Sequence, residues 1–230
     1  MLEVKGVSKS FGGILALKEV SLRVEKGQVM GIIGPNGAGK TTLFNVISSF
    51  IKPDHGRVIL NGDRIDGLTP NQVAKRGVGR TFQVTKVFHG FSVMDNLRVV
   101  CPDKLGIMEA IEYVQLGNLI DHPAGELSLF EQKRLEITMA LALRPKLLLL
   151  DELTSGFTLT EKRYFQNLIN KIRADFSLAV VLIEHDVKIA LEQSDQITVL
   201  YYGSVLASGE PAAMMRNEQV IKNYLGRKAV

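Results

Sequence analysis

Gly34-Pro35-Asn36-Gly37-Ala38-Gly39-Lys40-Thr41 fits the pattern G-x-x-x-x-G-K-[ST], a spacing whose chemistry is the grip of a polyphosphate. Glycines let the backbone wrap closely around an anion, with several N–H groups pointing inward at a helix N-terminus. Lys40 is placed to neutralise β- and γ-phosphates, and the Thr41 hydroxyl to bind Mg²⁺. Thr42 follows where a dinucleotide fingerprint needs its last glycine, so the expected ligand is a nucleoside triphosphate. The second group is Asp151-Glu152, directly after four leucines. Two carboxylates at the C-terminal end of a buried strand stand where parallel sheets bind ligands. Asp151 is expected in the Mg²⁺ shell, and Glu152 is expected to activate water beside the γ-phosphate. Alone such a run is an ordinary strand edge; the phosphate loop upstream gives it a function.

These groups need a strand and a helix around the loop, and the pattern supplies them. Val20, Leu22 and Val24 alternate to one side of a strand. Val29-Met30-Gly31-Ile32-Ile33 is a short apolar strand leading into the loop, and Leu43, Val46, Ile47 and Phe50 recur beyond it at helical spacing. Val58-Ile59-Leu60 before Asn61-Gly62 predicts half of a hairpin. From about 84 to 123 strand signals fade, and 105–119 has helical spacing. A long helix then follows Leu127, and the apolar runs 147–150 and 178–183 alternate with helices, which predicts parallel strands covered on both faces. The sequence has no internal repeat and no flexible linker.

Composition narrows the class. The 230 residues are 46% hydrophobic and 23% charged, which excludes general disorder and fibrous arrays. No apolar run approaches the roughly 20 residues of a membrane helix, and 1–11 lacks a signal-peptide core, so a cytoplasmic location is expected. The single cysteine, Cys101, excludes an internal disulfide framework and fits a reducing compartment. A net charge of +4, without a Lys/Arg run interleaved with aromatics, does not predict nucleic-acid binding. Lys75, Arg76, Arg80 and Lys86 read as a solvated basic face, with an acidic partner or a membrane surface as the alternative. His55, His89 and His122 have no ligand spacing and read as structural.

The ordered set of motifs resembles the ATP-binding subunit of ATP-binding-cassette (ABC) transporters over essentially the whole chain. After the phosphate loop come Thr81-Phe82-Gln83, Leu127-Ser128, Asp151-Glu152 and Ile183-Glu184-His185-Asp186, in the family's order. More narrowly, Gly79-Arg80-Thr81-Phe82-Gln83, Arg134-Leu135-Glu136-Ile137 and Asn223-Tyr224-Leu225-Gly226 are similar to the subunits of branched-chain amino acid importers. The resemblance implies an α/β fold: a P-loop NTPase (RecA-like) core with a mainly parallel sheet, an N-terminal antiparallel β subdomain and an inserted helical subdomain. Residues 1–83 and 126–230 would form the core with the β subdomain, and 84–125 the helical subdomain. It further implies ATP and Mg²⁺ sandwiched head to tail between two such subunits. Phe11 would stack on adenine, Gln83 would reach Mg²⁺ and the attacking water, and His185 would contact the γ-phosphate. Transmembrane permease subunits would receive the chain at the inner face of the membrane, around 84–97 (Phe88, Phe91, Val93, Met94), and a solute-binding protein would act indirectly.

The signature segment departs from the family. Where the family has Leu-Ser-Gly-Gly-Gln, this chain has Leu127-Ser128-Leu129-Phe130-Glu131, without either glycine. Ser128 with Glu131 three residues on is a capping box. The family points this helix at the γ-phosphate held by the other subunit, so Phe130 is expected to crowd the phosphate, and Glu131 to weaken its binding by about 0.3–1 kcal/mol. The damage falls on the partner's site, which favours an asymmetric heterodimer. Leu153 replaces a proline, Thr158 an aspartate and Met139 an arginine. The leading expectation is the motor of an amino acid importer. The alternatives are a poorly hydrolysing nucleotide switch within an asymmetric pair and a soluble ABC-type ATPase acting on nucleic acid or an assembly factor. With the chain ending soon after Gly226, no appended regulatory domain is expected.

Overall fold

The computed structural model describes residues 1–226; the last four residues of the expected 126–230 segment lie outside them. Within the described residues two sheets carry the architecture. Strands β1 (Leu2–Phe11), β2 (Ile14–Val24), β4 (His55–Leu60) and β5 (Asp63–Arg64) form an antiparallel sheet in the order β2-β1-β4-β5. The second sheet runs β10-β9-β3-β8-β7-β6. Its members are β3 (Val29–Ile33), β6 (Val78–Arg80), β7 (Leu147–Asp151), β8 (Ala179–Ile183), β9 (Gln196–Tyr201) and β10 (Ser204–Gly209). All neighbours are parallel except β9 and β10.

The period-2 geometry of a strand explains the continuous apolar runs. On β7, Leu147 and Leu149 face a core shared with the antiparallel sheet and helix α1 (Lys40–Ile47). Leu148 and Leu150 face the opposite core, against α5 (Leu129–Ala142) and α6 (Leu159–Phe176). β8 divides the same way, with Val181 and Ile183 on the first face and Val180 and Leu182 on the second. The sheet is therefore covered on both sides, as the sequence predicts.

The short α2 (Pro70–Lys75) connects β5 to β6 and contacts β6, and beyond β6 the helices α3 (Val93–Val100) and α4 (Lys104–Val114) pack on α5. The helical spacing at 105–119 ends earlier than expected, because Gln115 turns left-handed at φ 55° and closes the helix. The elements not foreseen include α2, β6, α3 and the β9–β10 hairpin. The hairpin turns through Tyr202 and Gly203, both at positive φ, as Asn61 and Gly62 do in the predicted β4–β5 hairpin. Helix α7 (Val187–Gln193) leaves β8 from Asp186, whose carboxylate caps it, and the short α8 (Pro211–Met214) and α9 (Glu218–Val220) follow β10. No helix of the described residues is long and apolar enough to cross a membrane.

Candidate functional site

Strand β3 delivers the chain into 34–39, and α1 starts at Lys40. Gly34 sits so close to the neighbouring strand that a Cβ there would lie 2.1 Å from the Leu200 carbonyl oxygen. Gly39, at φ 99°, caps α1 in a left-handed conformation, and a Cβ would lie 2.5 Å from the Ala16 oxygen. These contacts give two of the motif's glycines a steric reason. Lys40 is buried, and its Nζ donates to the carbonyls of Gly34 (2.8 Å) and Pro35 (3.0 Å), which folds the side chain back along the loop.

A cavity of about 300 Å³ opens over this loop. Asn36, Gly37, Ala38, Gly39, Lys40, Thr41 and Thr42 line it on one side. Gln83, Glu152 and His185, from three separate segments, line the other. Glu152 follows β7 and is nearly buried, with φ 50°, and its N–H donates to the Ile183 carbonyl (2.9 Å). A non-glycine residue in that region is uncommon and costs on the order of 1–3 kcal/mol, a strain that clusters at functional sites. The turn aims the carboxylate at the cavity. There Oε2 accepts from Gln83 Nε2 at 2.8 Å, and Oε1 lies 2.6 Å from His185 Nε2. Phe11 ends β1, 45% exposed, with Lys9 Nζ 5.6 Å from its ring centre. Phe11 is not among the residues lining the cavity.

Asp151 is 1% exposed. Its N–H donates to Thr81 Oγ1 (3.3 Å), one carboxylate oxygen lies 3.6 Å from Arg80 Nη2, and Oδ1 has no hydrogen-bond partner. Burial pushes its carboxyl upward, opposed by the Arg80 charge. The orphaned Asp151 oxygen, with the Thr41 hydroxyl and the Gln83 amide that line the cavity, supplies the types of oxygen ligand that Mg²⁺ takes. Among the described residues no cluster of three or more His, Cys, Asp and Glu could hold a metal.

Arg80 corrects the expectation of a solvated basic face. Its side chain is 6% exposed, its Nη1 donates to Ser48 Oγ at 2.7 Å, and its guanidinium lies 4.7 Å from the Phe82 ring centre and 5.5 Å from that of Phe50. Burial lowers its pKa, and the Asp151 carboxylate opposes that. Glu184 also went unnoticed. It accepts from Thr154 N (3.1 Å) and Oγ1 (3.0 Å), and burial raises its carboxyl to about 7. A carboxylate ending the apolar run of β8, as Asp151 ends β7, was the available signal.

The signature residues stand apart from this cavity. Ser128 caps α5, and the Glu131 carboxylate accepts from both Ser128 N (2.8 Å) and Oγ (2.7 Å), which lowers its pKa. Phe130, expected to crowd the partner's phosphate, turns its ring toward its own chain. Its ring is packed into the helical core, 5.2 Å from Tyr164, 5.3 Å from Phe165 and 5.8 Å from Phe157, with the Arg134 guanidinium at 5.6 Å. Exposed Leu129 holds the neighbouring position. Of the expected permease-facing residues, Val93 is buried in the core, while Phe88 and Phe91 are exposed.

Comparison with known proteins gives the family. The family described as "ABC transporter" matches residues 17–155, and that described as "Branched-chain amino acid ATP-binding cassette transporter" matches 204–230. The chain is 39% identical to the high-affinity branched-chain amino acid transport ATP-binding protein BraF of Pseudomonas aeruginosa, covering 98% of each. It is 34% identical to the corresponding LivG of Escherichia coli, again over 98% of each. Among solved structures, the ADP conformation of an ATP-binding cassette of an ABC transporter superposes with a TM-score of 0.89 at 31% identity, covering 98% of both chains. A dimeric bacterial ABC transporter cassette superposes at 0.83 with 25% identity, covering 92% of this chain and 99% of that one. With its phosphate loop, strand-end carboxylates and full-length likeness together, the chain belongs to the ABC transporter family as an ATPase of the ATP-binding-cassette type.

Proposed function

We propose that the chain powers uptake of amino acids, branched-chain ones in particular, as one of two cassettes beneath a pair of permease subunits on the inner face of the membrane. The division into a core (1–83 and 126–230) and a helical lobe (84–125) that moves against it belongs to this reading. So does a solute-binding protein that delivers the cargo. The support is the full-length likeness to BraF and LivG. The single observation that carries the catalytic part is the convergence of Gln83 and His185 on Glu152 above the phosphate loop.

In this reading the loop amides and Lys40 hold the β- and γ-phosphates, and Phe11 stacks on adenine. Mg²⁺, when bound by Thr41, Gln83 and Asp151, supplies neutralisation of charge on the phosphate oxygens. Glu152 takes a proton from the attacking water, Gln83 orients that water, and His185 contacts the γ-phosphate. The second cassette closes the site, which works as a motor because ATP binds the closed dimer more tightly than the open one. The test is Mg-ATP hydrolysis by the purified chain as its concentration rises, with Glu152→Gln as control. Specific activity that climbs with concentration and vanishes in the control supports the reading; hydrolysis that persists in the control refutes the assignment of Glu152. Uptake of radiolabelled leucine by the assembled transporter tests the cargo, and failure with leucine but success with another small solute overturns it.

One observation favours an asymmetric assembly of poor hydrolytic power as a second reading. The Ser128 hydroxyl that would face the partner's γ-phosphate donates instead to Glu131. In that case a partner with an intact signature restores turnover and this chain alone shows none.

A further inference from the structure

We propose that Lys133 and Glu136 form a buried positioning pair that holds the segment 82–86, and through it Gln83, against Glu152. The proposal rests on the reading of Gln83 given above. Both side chains sit one turn apart on α5 and are 4% exposed. Glu136 uses both carboxylate oxygens: Oε1 accepts from the N–H of Phe82 (3.0 Å) and of Lys86 (3.1 Å), and Oε2 accepts from Lys133 Nζ (2.9 Å). Lys133 Nζ also donates to the Phe82 carbonyl. Three hydrogen bonds therefore grip the chain on both sides of Gln83, and a fourth joins the pair itself; Gln83 Nε2 is 2.8 Å from Glu152.

A buried charge pair is weak evidence for stability, since taking two charges out of water offsets most of their attraction. What this pair does supply is geometry. Residues 82–86 belong to no helix or strand, and their own backbone offers little to fix a side chain. A carboxylate with two amide donors and one ammonium is a three-point hold in which every partner is directional. The same helix begins at Ser128, in the segment expected to face the partner's nucleotide. A displacement of α5 is thereby passed to Gln83 through one rigid turn.

The pair acts through another residue, so the decisive measurement is a double-mutant cycle on Mg-ATP turnover by the complete transporter assembly. Displacing a reacting group by about 1 Å costs about 10²-fold in rate. We expect Glu136→Ala to lower kcat by about 10- to 100-fold, with KM for ATP within about threefold of the parent. In a Gln83→Ala background the same substitution should cost under about twofold, because the group it positions is gone. The neutral pair Glu136→Gln with Lys133→Met keeps an acceptor for both amides and should recover at least about tenfold over Glu136→Ala. It also serves if Glu136→Ala fails to fold. In the isolated chain, amide exchange over 82–86 should rise in Glu136→Ala. An unchanged kcat, a KM that rises in parallel, the same loss in both backgrounds, or unaltered exchange each overturns the proposal. If Gln83→Ala itself leaves turnover intact, the reading of Gln83 has failed; if Gln83→Ala is slow and Glu136→Ala is not, only the positioning role has.

Discussion

Restoring a glycine at position 130 separates two accounts of the altered signature. If the phenyl ring obstructs the γ-phosphate, Phe130→Gly raises turnover. The packing says otherwise. The ring contacts Tyr164, Phe165 and Phe157 and lies under the Arg134 guanidinium, so it is part of the core that seats α5 on α6. Full burial of a phenylalanine is worth about 3–5 kcal/mol on truncation, and for a half-buried ring roughly half of that, about 2 kcal/mol, is appropriate. Glycine early in a helix costs up to about 1 kcal/mol more. The expected loss is therefore about 2–3 kcal/mol, or a fall in Tm of roughly 5–10 °C for a chain of this size. Scanning calorimetry gives the stability, and turnover is read on the same preparation at a temperature well below both midpoints. The packing account requires a lower Tm and no gain in kcat. A several-fold gain in kcat with Tm unchanged would show that the ring does stand in the way and would refute the reasoning.

Arg80→Leu should destabilise the fold by about 3 kcal/mol, because it strands the buried Asp151 carboxylate without its cation; denaturant titration reads the loss, and Asp151→Asn added to the same chain should restore most of it. Glu184, raised to about 7 by burial, favours its neutral form in the fold. Its contribution is complete below the ordinary carboxylate range and is lost as pH rises through about 7, a swing on the order of 3 kcal/mol. Glu184→Gln should therefore lose less stability than the parent between pH 5 and 8, measured by thermal midpoints across that range, and parallel curves would contradict the assignment. Thr158 caps α6 in a reciprocal box with Glu161, so Thr158→Ala should cost about 1 kcal/mol and lower the urea midpoint with no change of slope.

The phosphate loop was legible because its information is local: glycine positions, a lysine and a hydroxyl within eight residues, between a strand run and a helix run. The carboxylates of Asp151 and Glu152 were legible for the same reason, since an apolar run that ends in acid locates a strand end. The direction in which a side chain points was not legible. Phe130 stands where the family has glycine, and position alone suggested obstruction, whereas the χ angles that turn its ring inward depend on Tyr164 and Phe165, which no spacing rule connects to it. Arg80 misled in the opposite sense. Beside Lys75, Arg76 and Lys86 it reads as one more surface cation, and only its packing on Phe82 and Phe50 and its approach to Asp151 reveal burial. Glu136 and Lys133 lie on a helix where charges three apart ordinarily mark a wet face. Their partners are backbone atoms of a distant irregular segment, and backbone atoms carry no sequence signal.

The orientation of one carboxylate is the product of three independent pieces of chain. The left-handed turn at Glu152 ends β7, His185 follows the end of β8, and Gln83 sits in a segment fixed from α5. Each piece sets one hydrogen bond or one backbone angle, and none sets the position of the oxygen alone. A carboxylate held this way cannot take another rotamer without losing its contact to Gln83 or to His185, which suits the proton-accepting role proposed for it. It is also sensitive to motion far from the nucleotide. If the proposed roles hold, a shift of α5 would alter the Gln83 contact and leave the His185 contact in place, changing the aim of the carboxylate without dismantling the phosphate loop. On that proposal binding and hydrolysis depend on different sets of contacts in one cavity, and such a separation lets a machine hold ATP in one arrangement and cleave it in another.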